Sequence, residues 1–201
     1  MQSAHTGCSP RPRKPCSGSK IGAGADREDA LTEQRILGVV LAGGRSSRFG
    51  SDKAMAVLDG RMLAEHARTL LLPHVHSALI AGRDGAVPDL PSGDIGPLGG
   101  IAGALGYAAS RGFTSVLTIA CDMPWLPDGL LTALSRRASA YCPDVPVLGH
   151  WETGSLGNLL THIETVPRRS VRGWAEAIGA IPIPAGAPIP NVNTPQDLDI
   201  L

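Results

Sequence analysis

The sequence predicts a three-layer α/β domain built on a doubly wound, mainly parallel sheet. Short apolar runs alternate with amphipathic stretches of roughly 10–15 residues, the pattern of strand–helix–strand units. The apolar runs are continuous rather than alternating, as strands covered on both faces require. Aromatic residues make up only 3% of the chain and apolar residues 43%, so the core of this 201-residue chain has to be built from Leu, Val, Ile and Ala.

Residues 1–35 stand apart. They are rich in Pro, Ser, Gly and charge and hold almost no large apolar side chains, so burial cannot offset their ordering entropy. They are expected to form a disordered extension, with a domain spanning 36–201. The "RPRK" at 11–14 reads as a solvated run.

From Ile36 the elements follow in order. "ILGVVLA" is a buried strand that ends at Gly43-Gly44. "GRMLAEHARTLLLP" sets Leu63, Ala67, Leu70 and Leu71 on one helical face, and Pro73 stops the helix. "SALIAG" is a second strand. "LGGIAGALGYAAS" aligns Leu98, Ile101, Ala102, Leu105 and Ala108, its glycines lowering helix propensity while allowing close packing on a sheet. "SVLTIACD" is a third strand, apolar until Asp122. "PDGLLTALSRRASA" is a helix from Pro127 that aligns Leu130, Leu134 and Ala138. A strand "VPVLG", a helical pair around 155–179, a strand "AIPIP" and a short helix after Thr194 complete the chain.

Bulk properties exclude several classes. Lys+Arg and Asp+Glu are both 18, and without residues 1–35 (6 and 4) the remainder carries 12 and 14, a net charge near −2. Nothing in that balance points to nucleic acid or a membrane surface. No apolar run approaches the roughly 18 residues of a membrane span, and the N-terminus lacks the apolar core of a secretory signal. Cys8, Cys16, Cys121 and Cys142 show no C-x-x-C spacing. Reduced thiols and a cytoplasmic location are expected, as a monomer or weak oligomer.

Parallel sheets bind ligands beyond the carboxyl ends of their strands. Two features stand at such ends: the loop "LAGGRSSRFGSDK" (41–53) and Asp122. The loop fits neither G-x-x-x-x-G-K-[ST] nor G-x-G-x-x-G. It does offer Gly43 and Gly44, whose backbone can approach an anion, together with Arg48 and Lys53 as phosphate-binding cations. Composition alone is equally compatible with a surface loop carrying two solvated cations.

The whole string, however, resembles the signature L-A-G-G-x-S-x-R-M-G-x-D-K of nucleotidyltransferases, and more narrowly of the molybdenum cofactor guanylyltransferases (MobA family). "GPLGGI" (96–101), "CDMPWL" (121–126) and "NVNTPQDL" (191–198) follow in the family's order. Phe49 replaces the usual methionine, and "VPVLGHWETGSLGNLL" only loosely resembles the family's acceptor-facing P-L-x-A-x-Y stretch. The resemblance implies a Rossmann-like nucleotidyltransferase fold and transfer of GMP from GTP to the terminal phosphate of molybdenum cofactor, with release of pyrophosphate. GTP and a molybdopterin-type cofactor are then the substrates, Mg²⁺ the cofactor, and molybdoenzymes or their chaperones further partners. A related cytidylyltransferase or sugar-phosphate nucleotidyltransferase, and a nucleotide- or cofactor-binding module without turnover, stay open as alternatives.

Roles follow by position. Asp122 would hold Mg²⁺, an ion that takes one or two carboxylates plus phosphate oxygens and water; the plainer role is a cap for the helix after Pro124. Arg48 and Lys53 would grip the triphosphate. Leu41, Ala42, Gly43 and Gly44 would lend mostly backbone contacts. Asp94 would accept the N1–H and N2–H donors of guanine, or else serve as a turn Asp. Gly82 stands where relatives often carry an asparagine. Asn193, with Asn191, stands where cytidylyltransferases tend to carry D-x-D. Arg168 and Arg169, with Arg172, would meet the acceptor phosphate or simply form a solvated face. His74 and His76, a lone H-x-H, are not expected to bind metal, and Cys121 is expected to pack rather than react. Trp125, Trp151 and Trp174 are expected in the core or as cleft walls.

Overall fold

The computed structural model describes residues 34–42, 56–82, 87–92, 95–192, 194 and 197. The expected extension, 1–35, lies outside them except for Gln34 and Arg35. Arg35 already touches the folded part: its carbonyl accepts the Thr114 amide at 2.9 Å and its guanidinium lies 4.9 Å from the Phe113 ring centroid.

Ile36–Leu41 forms β1, with its first five residues buried. A small antiparallel ladder follows, β2 (Val57–Leu58) and β3 (Arg61–Met62), running directly into α1 (Leu63–Leu71). Leu63, Ala64, Ala67 and Leu71 are the buried face of α1, and Pro73 sits in the 3-10 turn that ends it. Ser77–Ala81 is β4, Pro97–Ser110 is α2, and Ser115–Ala120 is β5. Then come α3 (Leu130–Ser135), β6 (Ala140–Tyr141), β7 (Gly149–Glu152), α4 (Leu156–Thr165), α5 (Val171–Ala177) and β8 (Ile181–Pro182).

The main sheet has the order β4-β1-β5-β7-β6-β8. Pairings β1–β4, β1–β5 and β6–β8 are parallel, while β7 runs antiparallel to β5 and β6. Two apolar layers flank it. Leu37, Val39 and Val116 face α2, α4 and α5, whereas Ile36, Val40, Leu117 and Ile119 face α1 and α3. This is the expected three-layer, mainly parallel architecture, and all five expected residues of α2 are buried.

Two local expectations are corrected. The third long helix begins at Leu130 rather than Pro127 and spans six residues, leaving Ala138 outside it. Gly129 sits at φ 78°, a left-handed position that no helix continues through, and the Leu130 amide returns to the Pro127 carbonyl at 3.3 Å as a turn. "VPVLG" is not a strand. Val145–Leu148 closes a turn in which Leu148 N–H reaches Val145 O at 2.9 Å, and the pairing falls on Ala140–Tyr141 and Gly149–Glu152. Pro146 cannot donate to a ladder, so the apolar run serves as a bend.

Polar groups hold the antiparallel junction. Trp151 Nε1 donates to Thr118 Oγ1 at 2.9 Å, and that hydroxyl donates to the Val147 carbonyl at 2.6 Å. Trp151 packs against Trp174 at 4.7 Å between centroids, and both indoles are fully buried. On the opposite face, buried His150 places Nδ1 3.0 Å from the Leu134 carbonyl and Nε2 2.8 Å from Ser115 Oγ. A carbonyl only accepts, so Nδ1 carries the proton; burial disfavours a second proton on the ring, and the neutral Nε2 accepts from the hydroxyl. His76, expected not to be a metal ligand, accepts the Ile36 amide on Nδ1 at 3.1 Å.

Two predictions follow from this packing. A methyl placed on Gly103 would stand 2.1 Å from the Pro88 carbonyl oxygen. Gly→Ala in a helix interior ordinarily gains about 0.5–1 kcal/mol. At Gly103 a loss of about 1–3 kcal/mol is expected instead, read from the urea midpoint. Burial pushes the His150 pKa below its ordinary 6.5. The unfolded chain therefore takes up a proton at about pH 6.5 while the native ring resists it. The His150 contribution is complete above that pH and declines as pH falls from it toward the lower native pKa. His74, also lowered by burial, acts in the same direction. Stability curves for the wild type and His150→Gln should converge below about pH 6.5; parallel curves would refute the assignment.

Candidate active site

Leu41 pairs with Ala81 on one side and Ala120 on the other, so β4, β1 and β5 end side by side. Pairing continues one step past the strands: Ala42 N–H bonds Ala81 O at 3.3 Å, and Cys121 N–H bonds Leu41 O at 3.2 Å. Ala42, Gly82 and Asp122 are thereby set along one edge, as carboxyl-end positions of parallel strands require. The Leu41 carbonyl and the Ala42 amide are thus engaged by the sheet. The Leu41 side chain instead reaches α2, where a methyl on Gly100 would lie 3.2 Å from its Cδ2. Gly82 is exposed at φ 78° and offers only backbone, as expected.

Asp122 follows the last residues of β5 and is half-buried. Its position is fixed from both sides. Met123, completely buried, and Leu126 anchor the chain that leaves it, and its own carbonyl accepts the Val192 amide at 3.0 Å. That last bond draws a segment seventy residues downstream to the edge of the site, because Val192 itself is fully buried. Asn191 is thus held next to Asp122, and exposed, while Asn193 lies outside the described residues. Beyond it the Thr194 amide donates to Asp197 Oδ2 at 2.8 Å, the reach-back that opens a helix.

The N-terminus of α2 supplies the other wall. Gly96, at φ 69° and ψ −152°, occupies backbone space open only to glycine, and Pro97 starts the helix. Against its first turn lies Asp89, which sequence reasoning passed over: a methyl on Gly99 would be 3.2 Å from Asp89 Oδ2, and one on Gly100 would be 3.7 Å from Oδ1. The signal was a carboxylate in the run "VPDLP" just ahead of the "GPLGGI" motif. Gly43, Gly44, Arg48, Lys53 and Asp94 lie outside the described residues.

Arg168 and Arg169 lie exposed in the α4–α5 connection, an element separate from the strand ends. Arg172, on α5, donates to the Pro143 carbonyl. Of the three tryptophans, Trp151 and Trp174 are core, and Trp125, 49% exposed, stands three residues beyond Asp122. Cys121 is buried, as expected for packing. Among the described residues no cluster of three or more His, Cys, Asp or Glu side chains could cage a metal.

Residues 38–179 match the family model of the MobA-like NTP transferase domain. A molybdenum cofactor guanylyltransferase of Rhizobium leguminosarum bv. trifolii is 35% identical, the match covering 85% of this chain and 93% of that protein. One from Rhodobacter capsulatus is 33% identical, with 82% and 93% covered. Among solved structures, molybdopterin-guanine dinucleotide biosynthesis protein A of Archaeoglobus fulgidus superposes with a TM-score of 0.57 at 20% identity, over 82% of this chain and 95% of that one. A 4-diphosphocytidyl-2C-methyl-D-erythritol synthase gives 0.59 at 13% identity, over 84% and 97%, which is a likeness of fold. The chain belongs to the MobA-like NTP transferase family and is a nucleotidyltransferase.

Proposed function

We propose that the enzyme transfers GMP from GTP to the terminal phosphate of a molybdopterin-type cofactor and releases pyrophosphate. The reading rests above all on Asp122, held at the carboxyl edge by β5 on one side and by the Asn191–Val192 segment on the other. A phosphate monoester with a second pKa near 6 is mostly dianionic at neutral pH. It attacks the α-phosphorus of GTP; the new P–O bond forms as the bond to the β-phosphate oxygen breaks, and the electron pair leaves with pyrophosphate. No general base is needed. The protein's work is to hold two anions in line and to offset charge on the leaving group.

Asp122 would hold Mg²⁺ together with phosphate oxygens and water, and the ion would offset the charge that develops on the departing pyrophosphate. Arg48 would fork onto the triphosphate and Lys53 would steady the leaving end, with Gly43 and Gly44 closing over the phosphates. Two carboxylates compete to read guanine: Asp94 by resemblance and Asp89 by position, beside Leu41 and the first turn of α2. Asp89 is preferred for its place against the first turn of α2. Catalysis is assigned to residues 36–201, with 1–35 an extension outside it. The cytoplasm suits a chain whose two described cysteines, Cys121 and Cys142, form no disulfide.

Calorimetry with GTP, CTP and ATP, with and without Mg²⁺, tests the reading: GTP should bind best, and only with Mg²⁺ at full strength. Equal or tighter Mg²⁺-dependent binding of CTP would overturn it. Asp122→Ala should cut turnover by about a hundredfold or more while leaving the urea midpoint close to wild type; near-normal turnover removes Asp122 from the site. Asp89→Asn should weaken GTP by about tenfold or more and erase its advantage over ATP. If Asp94→Asn has that effect instead, guanine is read five residues later.

A further inference from the structure

The turn between β6 and β7 and the stretch after β8 border an open cavity of about 470 Å³, lined by Asp144, Val145, Pro184, Ile189 and Asn191 among others. That volume lies within the ~300–1,000 Å³ of small-molecule sites. Its walls are mostly proline and aliphatic, and Asp144 is the charged group on them. Asp144 is held in place. Its Oδ2 accepts the Ala185 amide at 2.9 Å and the thiol of buried Cys142 at 3.8 Å, and the Pro143 carbonyl just before it accepts from Arg172. Oδ1 has no hydrogen-bond partner among the described residues. The cavity adjoins the active site, because Asn191 lines it and the next residue donates to the Asp122 carbonyl.

We propose that this cavity is the ring subsite for the acceptor, and that Asp144 reads the 2-amino-4-oxo edge of a pterin. The inference rests on the guanylyl-transfer reading above. A pterin presents N3–H and a 2-amino group side by side, two donors that converge on Oδ1, whose two lone pairs are both open while those of Oδ2 are taken by Ala185 and Cys142. The flat ring lies against Pro184 and Ile189, and its phosphate-bearing arm extends past Asn191 toward Asp122.

Fluorescence titration of the full chain with pterin and with lumazine tests this. Lumazine has the same ring with a 2-oxo group in place of the 2-amino donor. Pterin should bind the wild type about tenfold more tightly or better, because an unpaired acceptor facing Asp144 is penalised. Asp144→Asn should lose that preference while GTP affinity stays unchanged. Ile189→Trp, which narrows the cavity and keeps the Asp144 carboxylate in the chain, should abolish pterin binding. Equal affinity for the two rings in the wild type, no binding of pterin, or a preference retained by Asp144→Asn overturns the proposal. Failure of the wild type to bind GTP with Mg²⁺ overturns the guanylyl-transfer reading instead, whatever the pterin result.

Discussion

Everything at the active edge depends on where β1 stops. Leu41 is bonded to both neighbours at its last strand position, and the sheet pairing runs one residue further on each side through Ala42 and Cys121. Three carboxyl ends are therefore level to within a residue. A shift of one residue in either pairing would turn Asp122 or Gly82 to the opposite face of the sheet. The all-apolar sequence of β1 specifies burial on both faces but gives little register information by itself. Register comes from the partners: Gly38 sits against Leu71, Val75 and Ala78, where a methyl would meet atoms at 3.0–3.2 Å. The space for α1 on that face exists only with glycine at that rung.

The antiparallel half of the sheet solves a different problem. β7 must end the parallel series and return the chain, and it does so through buried polar groups. Thr118 receives the Trp151 indole N–H and donates to Val147, while His150 bridges Leu134 and Ser115. Each such bond contributes only about 1 kcal/mol net, yet leaving one of these groups unpaired costs about 1–3 kcal/mol. The junction therefore specifies one arrangement more than it adds stability, and it places the Cys142–Asp144 turn beside the C-terminal segment.

Legibility in the sequence followed the physics of each element. β1, β5 and α2 were readable because continuous burial leaves an unbroken apolar run and helical burial a periodic one, and β4, half-buried at the sheet edge, keeps a short apolar run as well. "VPVLG" was misread because apolarity does not distinguish a strand from a buried bend, and Pro146 was the clue that outweighed it. Asp122 was legible from its place at the end of an apolar strand. Asp89 and Asp144 were not, since each draws its meaning from a contact outside its own element: Asp89 from the first turn of α2, Asp144 from Ala185 forty-one residues on. The tie from Val192 to Asp122 is of the same kind. A motif records that "NVN" matters, whereas only the fold shows which strand end it meets.

The domain is nearly neutral, yet the proposed reaction gathers a triphosphate and a monophosphate. Bulk charge cannot concentrate those anions, so under that proposal attraction would be local, at Arg48, Lys53, the first turn of α2 and a metal at Asp122. Guanine and pterin add a second difficulty, for both display an amino group beside a ring N–H and a carbonyl. A carboxylate that recognises one also suits the other. With Asp89 near α2 and Asp144 beyond Asn191, each ring would have its own carboxylate on its own side of Asp122. Ring chemistry would not then sort the two substrates. The phosphates would: only the nucleotide carries the chain of charge that needs the cationic loop, and a ring seated in the wrong subsite would leave its phosphates without partners.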